Sequence, residues 1–155
     1  MEQHIFKHMD TIRAITLNVL NEVPEEKMAV LPPGFNNHIL WNAGHIAFVQ
    51  EKIVLGLSGD EGQLTPSFEE FFGAGTKPAD WEGTPPSIKE VKEALINLPK
   101  RIKETMAGRI AEPLKAPYTN KTGVTFTTVA DALFYSFYHE ALHLEKMKLI
   151  MKHLL

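Results

Sequence analysis

The sequence contains no cysteine among its 155 residues. A chain without cysteine has no disulfide framework, no thiolate ligand for a metal and no cysteine nucleophile. Any thiol chemistry that this protein carries out must therefore use a thiol supplied from outside the chain.

Long apolar segments are missing as well. No run approaches the roughly 20 apolar residues that a transmembrane helix needs. The chain begins Met-Glu-Gln-His, which mixes charge into its first turns and lacks the apolar core of a signal peptide. We therefore expect a cytoplasmic protein that does not associate with membranes.

No charge of one sign dominates the chain. Lysine and arginine together number 16 against 19 aspartates and glutamates, which gives a formal net charge of −3. Binding to a phosphate backbone needs clustered cations, and the sequence shows no basic stripe. This pattern argues against nucleic acid as a partner.

The remaining composition is that of a folded protein. Hydrophobic residues make up 44% of the chain and charged residues 23%. At this length a chain can bury roughly two-thirds of its unfolded surface around one core. The composition predicts a single domain over residues 1–155.

Apolar residues recur with the period of an α-helix in four stretches, at about 2–21, 37–55, 88–108 and 128–155. Two long connections, 57–86 and 110–126, separate the later stretches, and the first connection has room for a short helix at 67–72. No alternating pattern typical of a strand extends beyond a few residues. The sequence therefore predicts an all-α protein, a four-helix bundle with long connecting loops.

Local signals define the helix ends. Pro24 and Gly56 are placed to end the first two helices, and Ser87 with Glu90 predicts a capping box at the start of the third. Asn36 or Asn37 is a candidate N-cap for the second helix, and Thr127 or Thr128 for the last. The predicted buried face of the first helix contains Ile5, His8, Ile12, Ile15 and Val19.

Histidine is in excess, with seven residues in the chain. His139 and His143 are four positions apart, so on a helix their imidazoles project from one face about 6 Å apart and can share a metal ion. Their face also carries apolar residues that must contact the core. A buried imidazole is costly unless it is hydrogen-bonded or ligates a metal. Both explanations, metal ligands and hydrogen-bonded core histidines, remain open at this point.

Residues 139–143 also match the HExxH pattern of zinc proteases, in which the glutamate is the general base. The extended protease pattern would place glycine at 146 and histidine at 149, where this chain has Lys146 and Leu149. Only twelve residues follow His143, which leaves no room for a distant glutamate ligand. A protease is therefore disfavoured. Glu140 remains a candidate general base or a residue that orients a ligand, with a salt bridge on the helix flank as the alternative.

A third ligand must then come from upstream. His45 lies near the middle of the second predicted helix, as His139 and His143 lie near the middle of the last, so packing of the helices can bring the three together. Three imidazoles on two helices leave coordination positions open for water or substrate, as in catalytic metal sites. Such a site suits nickel or zinc, and also iron, manganese or copper.

Other residues have an ordinary and a functional explanation. His38 lies one heptad before His45 and roughly 10 Å from it along the helix, which suits a first-turn polar residue or the mouth of the site. His8 is a candidate for the core edge or the vicinity of the site. Four aromatic residues of the second and last predicted helices recur at helical spacing, which is typical of the core or of a pocket wall: Trp41, Phe48, Tyr135 and Tyr138. Those of the 57–86 connection, Phe71, Phe72 and Trp81, suit a cover over the open side of the metal or a plain lid on the bundle end.

Several motifs in order give the chain a resemblance to the DinB/YfiT-like superfamily. The first is Asn37-x-x-x-Trp41-x-x-Gly44-His45-Ile46 and the last is His139-Glu140-x-x-His143-Leu144, with the loop 72–76 and the helix start 128–133 between them. The likeness covers nearly the whole chain. One departure lies at 144–146, where many members have Gly-Gln after the second histidine of the last helix and this chain has Leu-Glu-Lys.

The resemblance implies a four-helix bundle whose metal-binding triad maps onto His45, His139 and His143. It further implies a divalent metal, often nickel or zinc, and frequently a homodimer. In characterised branches of the family it implies transfer or isomerisation chemistry that uses a low-molecular-weight thiol. The missing cysteine agrees with such an external thiol.

Two functional hypotheses from different classes follow. In the first, the protein is an enzyme in which a metal at the three histidines activates a thiol, as in an S-transferase, or water, as in a hydrolase, toward a small-molecule electrophile. In the second, it is a non-catalytic metal-binding or stress-response module. A third hypothesis is that the metal has a purely structural role, which would require a filled fourth coordination position.

Overall fold

The computed structural model describes residues 1–155, and most of them are helical. Four long helices and one short helix are present: α1 (Glu2–Glu22), α2 (Ile39–Gln50), α3 (Pro66–Phe72), α4 (Ile88–Met106) and α5 (Val129–Leu154). Helix α2 continues as a π-helical segment over Glu51–Gly56. No helix is both long enough and apolar enough to cross a bilayer. The four long helices and the short helix at 67–72 therefore lie where the sequence predicts them.

The helix starts follow from side-chain capping. Ser87 and Glu90 form the predicted capping box at the start of α4, and Thr128 forms a second one with Asp131 at the start of α5. Helix α2 differs from the prediction, since its N-cap is His38, whose ring nitrogen Nδ1 accepts the Trp41 backbone N–H at 3.0 Å. The expectation that Asn36 or Asn37 caps α2 is thus wrong, because a histidine one residue later supplies the acceptor.

A β-hairpin occupies most of the connection that the sequence analysis expected to be without strands. Strand β1 (Pro113–Thr119) pairs antiparallel with β2 (Thr125–Thr128). The all-α expectation is therefore incomplete. Only Leu114 and Phe126 of the two strands are buried, and β1 contains two prolines, Pro113 and Pro117. The alternation of apolar and polar residues that identifies a strand is consequently absent.

The long helices pack so that α2 contacts both α4 and α5, and α1 contacts the same two helices. The hairpin packs on α5 at its N-terminal end. The face of α1 is rotated relative to the prediction: Met9 and Arg13 are buried, whereas His8 and Ile15 are exposed. Because Arg13 is charged, a hydrophobicity pattern places it outside and shifts the predicted stripe.

Two apolar clusters form the core, and a polar layer lies between them. On α5, for example, Phe137 belongs to one cluster and Leu144 to the other, while Glu140 and His143 are buried between the two. On α1 the buried residues Arg13 and Thr16 occupy the same intermediate position. Buried polar groups are retained in folded proteins when they are hydrogen-bonded, so this layer is where a functional site is expected.

Candidate metal centre

His45 on α2 and His139 and His143 on α5 meet where the two helices pack together. One ring nitrogen of each lies within 4.8 Å of the others. The Nε2 atoms of His45 and His139 are 3.2 Å apart. Two nitrogens bound about 2.0–2.1 Å from a tetrahedral zinc ion lie roughly 3.3 Å apart, so this pair has the separation of two ligands of one metal. The three residues that the sequence analysis selected are thus brought together.

Asn42 fixes the orientation of His143. The Nδ2 group of Asn42 donates to the His38 carbonyl oxygen at 2.9 Å, which leaves its Oδ1 to face the Nδ1 atom of His143 at 2.8 Å. Since Oδ1 can only accept, His143 carries its proton on Nδ1. The lone pair then lies on Nε2, the nitrogen left to bind a metal.

The Phe72 carbonyl oxygen does the same for His45. It lies 2.6 Å from the His45 Nδ1 atom, and a carbonyl oxygen can only accept, so this nitrogen carries the proton. Gly44 lets the Phe72 segment approach α2 closely, because a Cβ atom at this position would lie 2.5 Å from the Phe72 ring. The glycine before the histidine is therefore a steric requirement of the site.

Trp41 packs against the face of the His45 ring. The two rings stack with centroids 4.4 Å apart and an interplanar angle of 17°. Trp41 Nε1 donates to the Thr76 hydroxyl, which in turn lies 2.9 Å from the Phe71 carbonyl oxygen. Of the two explanations for Trp41, the structure supports the buried one, and it ties the loop after α3 to the site.

Burial keeps all three imidazoles neutral. Removal from water lowers the pKa of His139 to about 3 and that of His143 to about 2, and the neighbouring histidines and Lys146 add to both effects. Burial also lowers the pKa of His45, although the Phe72 carbonyl opposes the change. Neutral imidazole is the form that binds metals, so the cluster is ready to ligate at neutral pH.

Glu140 lies in a different cluster from the three histidines. Its carboxylate accepts from Arg13 Nε at 2.9 Å and from the Thr16 hydroxyl at 2.7 Å, and all three residues are buried. Arg13 also donates to Gln50 Oε1 at 2.7 Å and to the Leu95 carbonyl oxygen at 2.5 Å. From the sequence, Glu140 was a candidate general base, a residue that orients a ligand, or part of a salt bridge on the helix flank. The structure contains a salt bridge, but one in the interior that joins α1 to α2, α4 and α5.

A cavity of about 350 Å³ opens beside the cluster and reaches His45 and His139. Its aromatic walls come from α2, α5 and the hairpin: Phe48, Tyr118, Phe126 and Tyr135. The loop after α3 adds Gly73, Ala74 and Thr76. Phe48 and Tyr135 are therefore pocket walls, as one of their two interpretations held, whereas Tyr138 is 59% exposed and lies outside the cavity.

The loop aromatics Phe71, Phe72 and Trp81, and the histidines His8 and His38, are not among the residues that line the cavity. Phe71 and Phe72 are buried in the core, and Trp81 packs against Phe71. His38 is a first-turn residue that caps α2, and its ring meets Trp81 edge-on. His8 is exposed and contacts Phe137.

Sequence reasoning missed Asn42, the Phe72 carbonyl oxygen and the hairpin wall of the cavity. Asn42 had a detectable signal, since it is three residues before His45 and is a polar residue within the apolar stretch from Ile39 to Gly44. A backbone carbonyl contributed by a loop has no sequence signal. The donor set as a whole, neutral imidazoles with Nε2 free at two of them, fits a late first-row divalent metal.

Comparison with known proteins gives a family and a fold. A family model described as the DinB superfamily matches residues 8–147. A crystal structure from Enterococcus faecalis, described as that of a conserved protein, is similar with a TM-score of 0.65 and 14% identity; the match covers 97% of this chain and 94% of that one. At this identity the likeness concerns the fold alone. No curated protein matches the sequence.

Proposed function

The chain belongs to the DinB superfamily, and from this premise we propose that it is a metal-dependent enzyme whose His45, His139 and His143 hold one divalent ion. The observation that carries the proposal is the convergence of three neutral imidazole nitrogens within 4.8 Å beside a cavity. A pocket next to three ligands leaves room for substrate, which a closed structural site does not.

When bound, the metal supplies Lewis-acid chemistry: it lowers the pKa of a thiol or of water and so provides a nucleophile at neutral pH. Nickel and zinc are the ions we favour, with iron and manganese as alternatives. The substrate is a small electrophile, and the reaction is either transfer of a thiol to it, as in an S-transferase, or its hydrolysis by water. Because the chain has no cysteine, a thiol nucleophile comes from a low-molecular-weight compound.

The protein's own residues orient and shield the reaction. Asn42 and the Phe72 carbonyl oxygen hold the Nδ1 atoms of two imidazoles, which leaves their Nε2 atoms as the nitrogens that would bind the ion. Phe48 and Tyr135 exclude water from one side of the cavity. Glu140, with its carboxylate bonded to Arg13 and Thr16, acts through the position of α5.

The metal site is tested by substituting each of the three histidines with alanine and measuring bound nickel and zinc by elemental analysis. We expect each variant to lose the ion and to keep its helical circular dichroism. His153→Ala is the matched control, because this histidine is exposed near the end of α5. Unchanged metal content in the three site variants would contradict the proposal.

Turnover is tested separately. Low-molecular-weight thiols are offered with a model electrophile such as a chlorodinitrobenzene, and ester hydrolysis is followed in parallel. An enzyme accelerates one of these reactions in the metal-loaded form and not after chelation. Metal binding without acceleration of either reaction would favour the alternative, a non-catalytic metal-binding or stress-response module.

We also propose that residues 1–155 form one DinB-like domain in which α1, α2, α4 and α5 make a four-helix bundle, and that the protein is a homodimer. Support for the dimer comes from three exposed apolar residues that follow one another at intervals of four on α5: Phe134, Tyr138 and Leu142. Light scattering of the protein and of Tyr138→Glu measures the mass. A monomeric mass for the unsubstituted protein would contradict the dimer.

A further inference from the structure

The cavity beside the histidines contains an unequal set of charges. Three of its lining residues belong to the charged types lysine and glutamate: Lys52, Glu69 and Lys121. Lys52 and Glu69 form an ion pair at 2.9 Å and neutralise one another. Lys121 pairs with no carboxylate. The lining histidines, His45 and His139, are neutral, so Lys121 is the charged residue of this lining that has no partner of opposite charge in contact.

The turn that carries Lys121 also contains a hydrogen-bond donor without a partner. Asn120 Oδ1 accepts from the backbone N–H groups of Thr122 and Val124, at 2.9 and 3.0 Å, and from the Thr122 hydroxyl. These bonds fix which end of the amide is oxygen. The other end, Nδ2, is shielded from solvent and has no acceptor. An unpartnered buried donor is costly, so an acceptor atom at this turn would be stabilising.

The remaining walls are mostly apolar and the space is small. The same cavity is lined by Phe48 of α2, Tyr135 of α5 and Phe126 of β2. A volume of about 350 Å³ is near the lower end of the range for small-molecule sites. An occupant of this cavity is therefore a small compound with an apolar body.

We propose that the hairpin turn, through Lys121 and Asn120, recognises an anionic group, such as a carboxylate, on a small substrate whose apolar body lies on the aromatic walls and whose reacting group reaches the histidines. The inference rests on the proposed function only in that the reacting end is placed at the metal. The anion recognition follows from the charges and donors of the turn itself.

Two probes test binding at the metal and recognition of an anion by the turn separately. Benzohydroxamic acid binds a metal through its hydroxamate, and 4-carboxybenzohydroxamic acid adds a carboxylate at the other end of the ring. Calorimetry of zinc-loaded protein measures both dissociation constants. We expect the carboxylated probe to bind about three- to tenfold more tightly, the range of a partly exposed charge-assisted contact.

Variants of the turn locate the effect. Lys121→Ala should remove the preference for the carboxylated probe and leave the affinity for benzohydroxamic acid unchanged. Asn120→Asp keeps the oxygen that accepts from Thr122 and Val124 but replaces the donor by a charged acceptor, so it should weaken the carboxylated probe selectively. Lys115→Ala is the matched control, because it removes the same charge from the same hairpin outside the cavity.

Each outcome has a defined meaning. Equal affinities of the two probes, or a preference that survives Lys121→Ala, would overturn the inference while the metal site stands. Failure of both probes to bind a protein that retains its zinc would count against an open coordination position, and so against the proposed function and this inference together. Metal content measured on the same samples distinguishes these cases.

Discussion

Asn42 and His143 are joined across the packed faces of α2 and α5 by a bond of 2.8 Å between Oδ1 and Nδ1. The amide of Asn42 is itself held by the His38 carbonyl oxygen. The rotation of the His143 ring, and the nitrogen that it presents, are therefore set by the residue three positions before His45. A ligand oriented in this way loses less freedom when it binds an ion.

The first prediction concerns this bond. Asn42→Leu removes the acceptor and keeps the approximate size of the side chain, so we expect zinc affinity to fall by about 10- to 100-fold. Asn42→Asp keeps an acceptor oxygen and should retain most of the affinity. Competition with a chromophoric chelator measures both constants. Equal affinities for the two variants would show that the bond does not position His143.

The second prediction concerns the contact between Gly44 and the Phe72 ring. Gly44→Ala places a Cβ atom 2.5 Å from the ring and must displace the Phe72 segment, including the carbonyl oxygen that holds His45. We expect a loss of about 1–3 kcal/mol in the free energy of unfolding, as for other overpacked cores, together with weaker metal binding.

Gly56→Ala is the control for this substitution. A Cβ atom at Gly56 meets no other atom within 4 Å. Chemical denaturation should show little change for this variant, or a small gain, since alanine limits the unfolded chain more than glycine does. Equal losses at the two positions would contradict the steric explanation.

The third prediction concerns the buried pair of Arg13 and Glu140. Glu140→Gln leaves the guanidinium of Arg13 buried without its countercharge, and breaking a buried pair in this way costs about 3–5 kcal/mol. Replacing both residues, as in Arg13→Met with Glu140→Leu, should recover much of that loss. Urea unfolding of the single and double variants measures the coupling.

A matched surface pair provides the comparison. Lys52 and Glu69 are 58% and 66% exposed, so Lys52→Ala should change the free energy of unfolding by no more than about 1 kcal/mol. If Glu140→Gln were as stable as the unsubstituted protein yet inactive with metal still bound, Glu140 would act in the reaction and the structural role would be wrong.

The sequence predicts those features of the structure that are determined by residues close together along the chain. The start of α4 follows from two residues three positions apart, Ser87 and Glu90, and this capping box was predicted. At the start of α5, Thr128 was one of the two predicted N-cap candidates, whereas its capping-box partner Asp131 was not predicted. The pairing of His139 with His143 is equally local. His45 was found because it is a histidine in the middle of an apolar helix, a position that favours a ligand or a partner.

Features that depend on distant residues were missed or misjudged. Glu140 and Arg13 are 127 positions apart in the sequence, and no pattern in either helix predicts that they form a pair. Arg13 in turn displaces the predicted buried face of α1. The hairpin escapes detection because its strands are mostly exposed, and its stability comes from pairing and from Leu114 and Phe126 packed on the core. Its turn nevertheless completes the cavity.

The fourth prediction concerns the pH dependence of the cap of α2. Burial lowers the pKa of His38 to about 4, while a histidine in an unfolded chain has a pKa of about 6.5. Between these values the unfolded state binds more protons than the folded state, so the free energy of unfolding falls as the pH falls through this window. The physical cause is burial of the ring, which disfavours its charged form, and a protonated Nδ1 atom can also no longer accept the Trp41 N–H.

The test compares unfolding of metal-free protein and of His38→Asn at about pH 7 and about pH 4.5, a change for which this one group contributes at most about 3 kcal/mol. Asparagine is a good N-cap and does not titrate, so the variant keeps an acceptor for Trp41 and loses the pH-dependent part. His45, His139 and His143 titrate in both proteins, and their contributions cancel in the difference. The lost contact between His38 and Trp81 lowers stability equally at both pH values, so the slope and not the level is the measurement. We expect a shallower slope in His38→Asn, and identical slopes would mean that His38 does not lose its cap in this range.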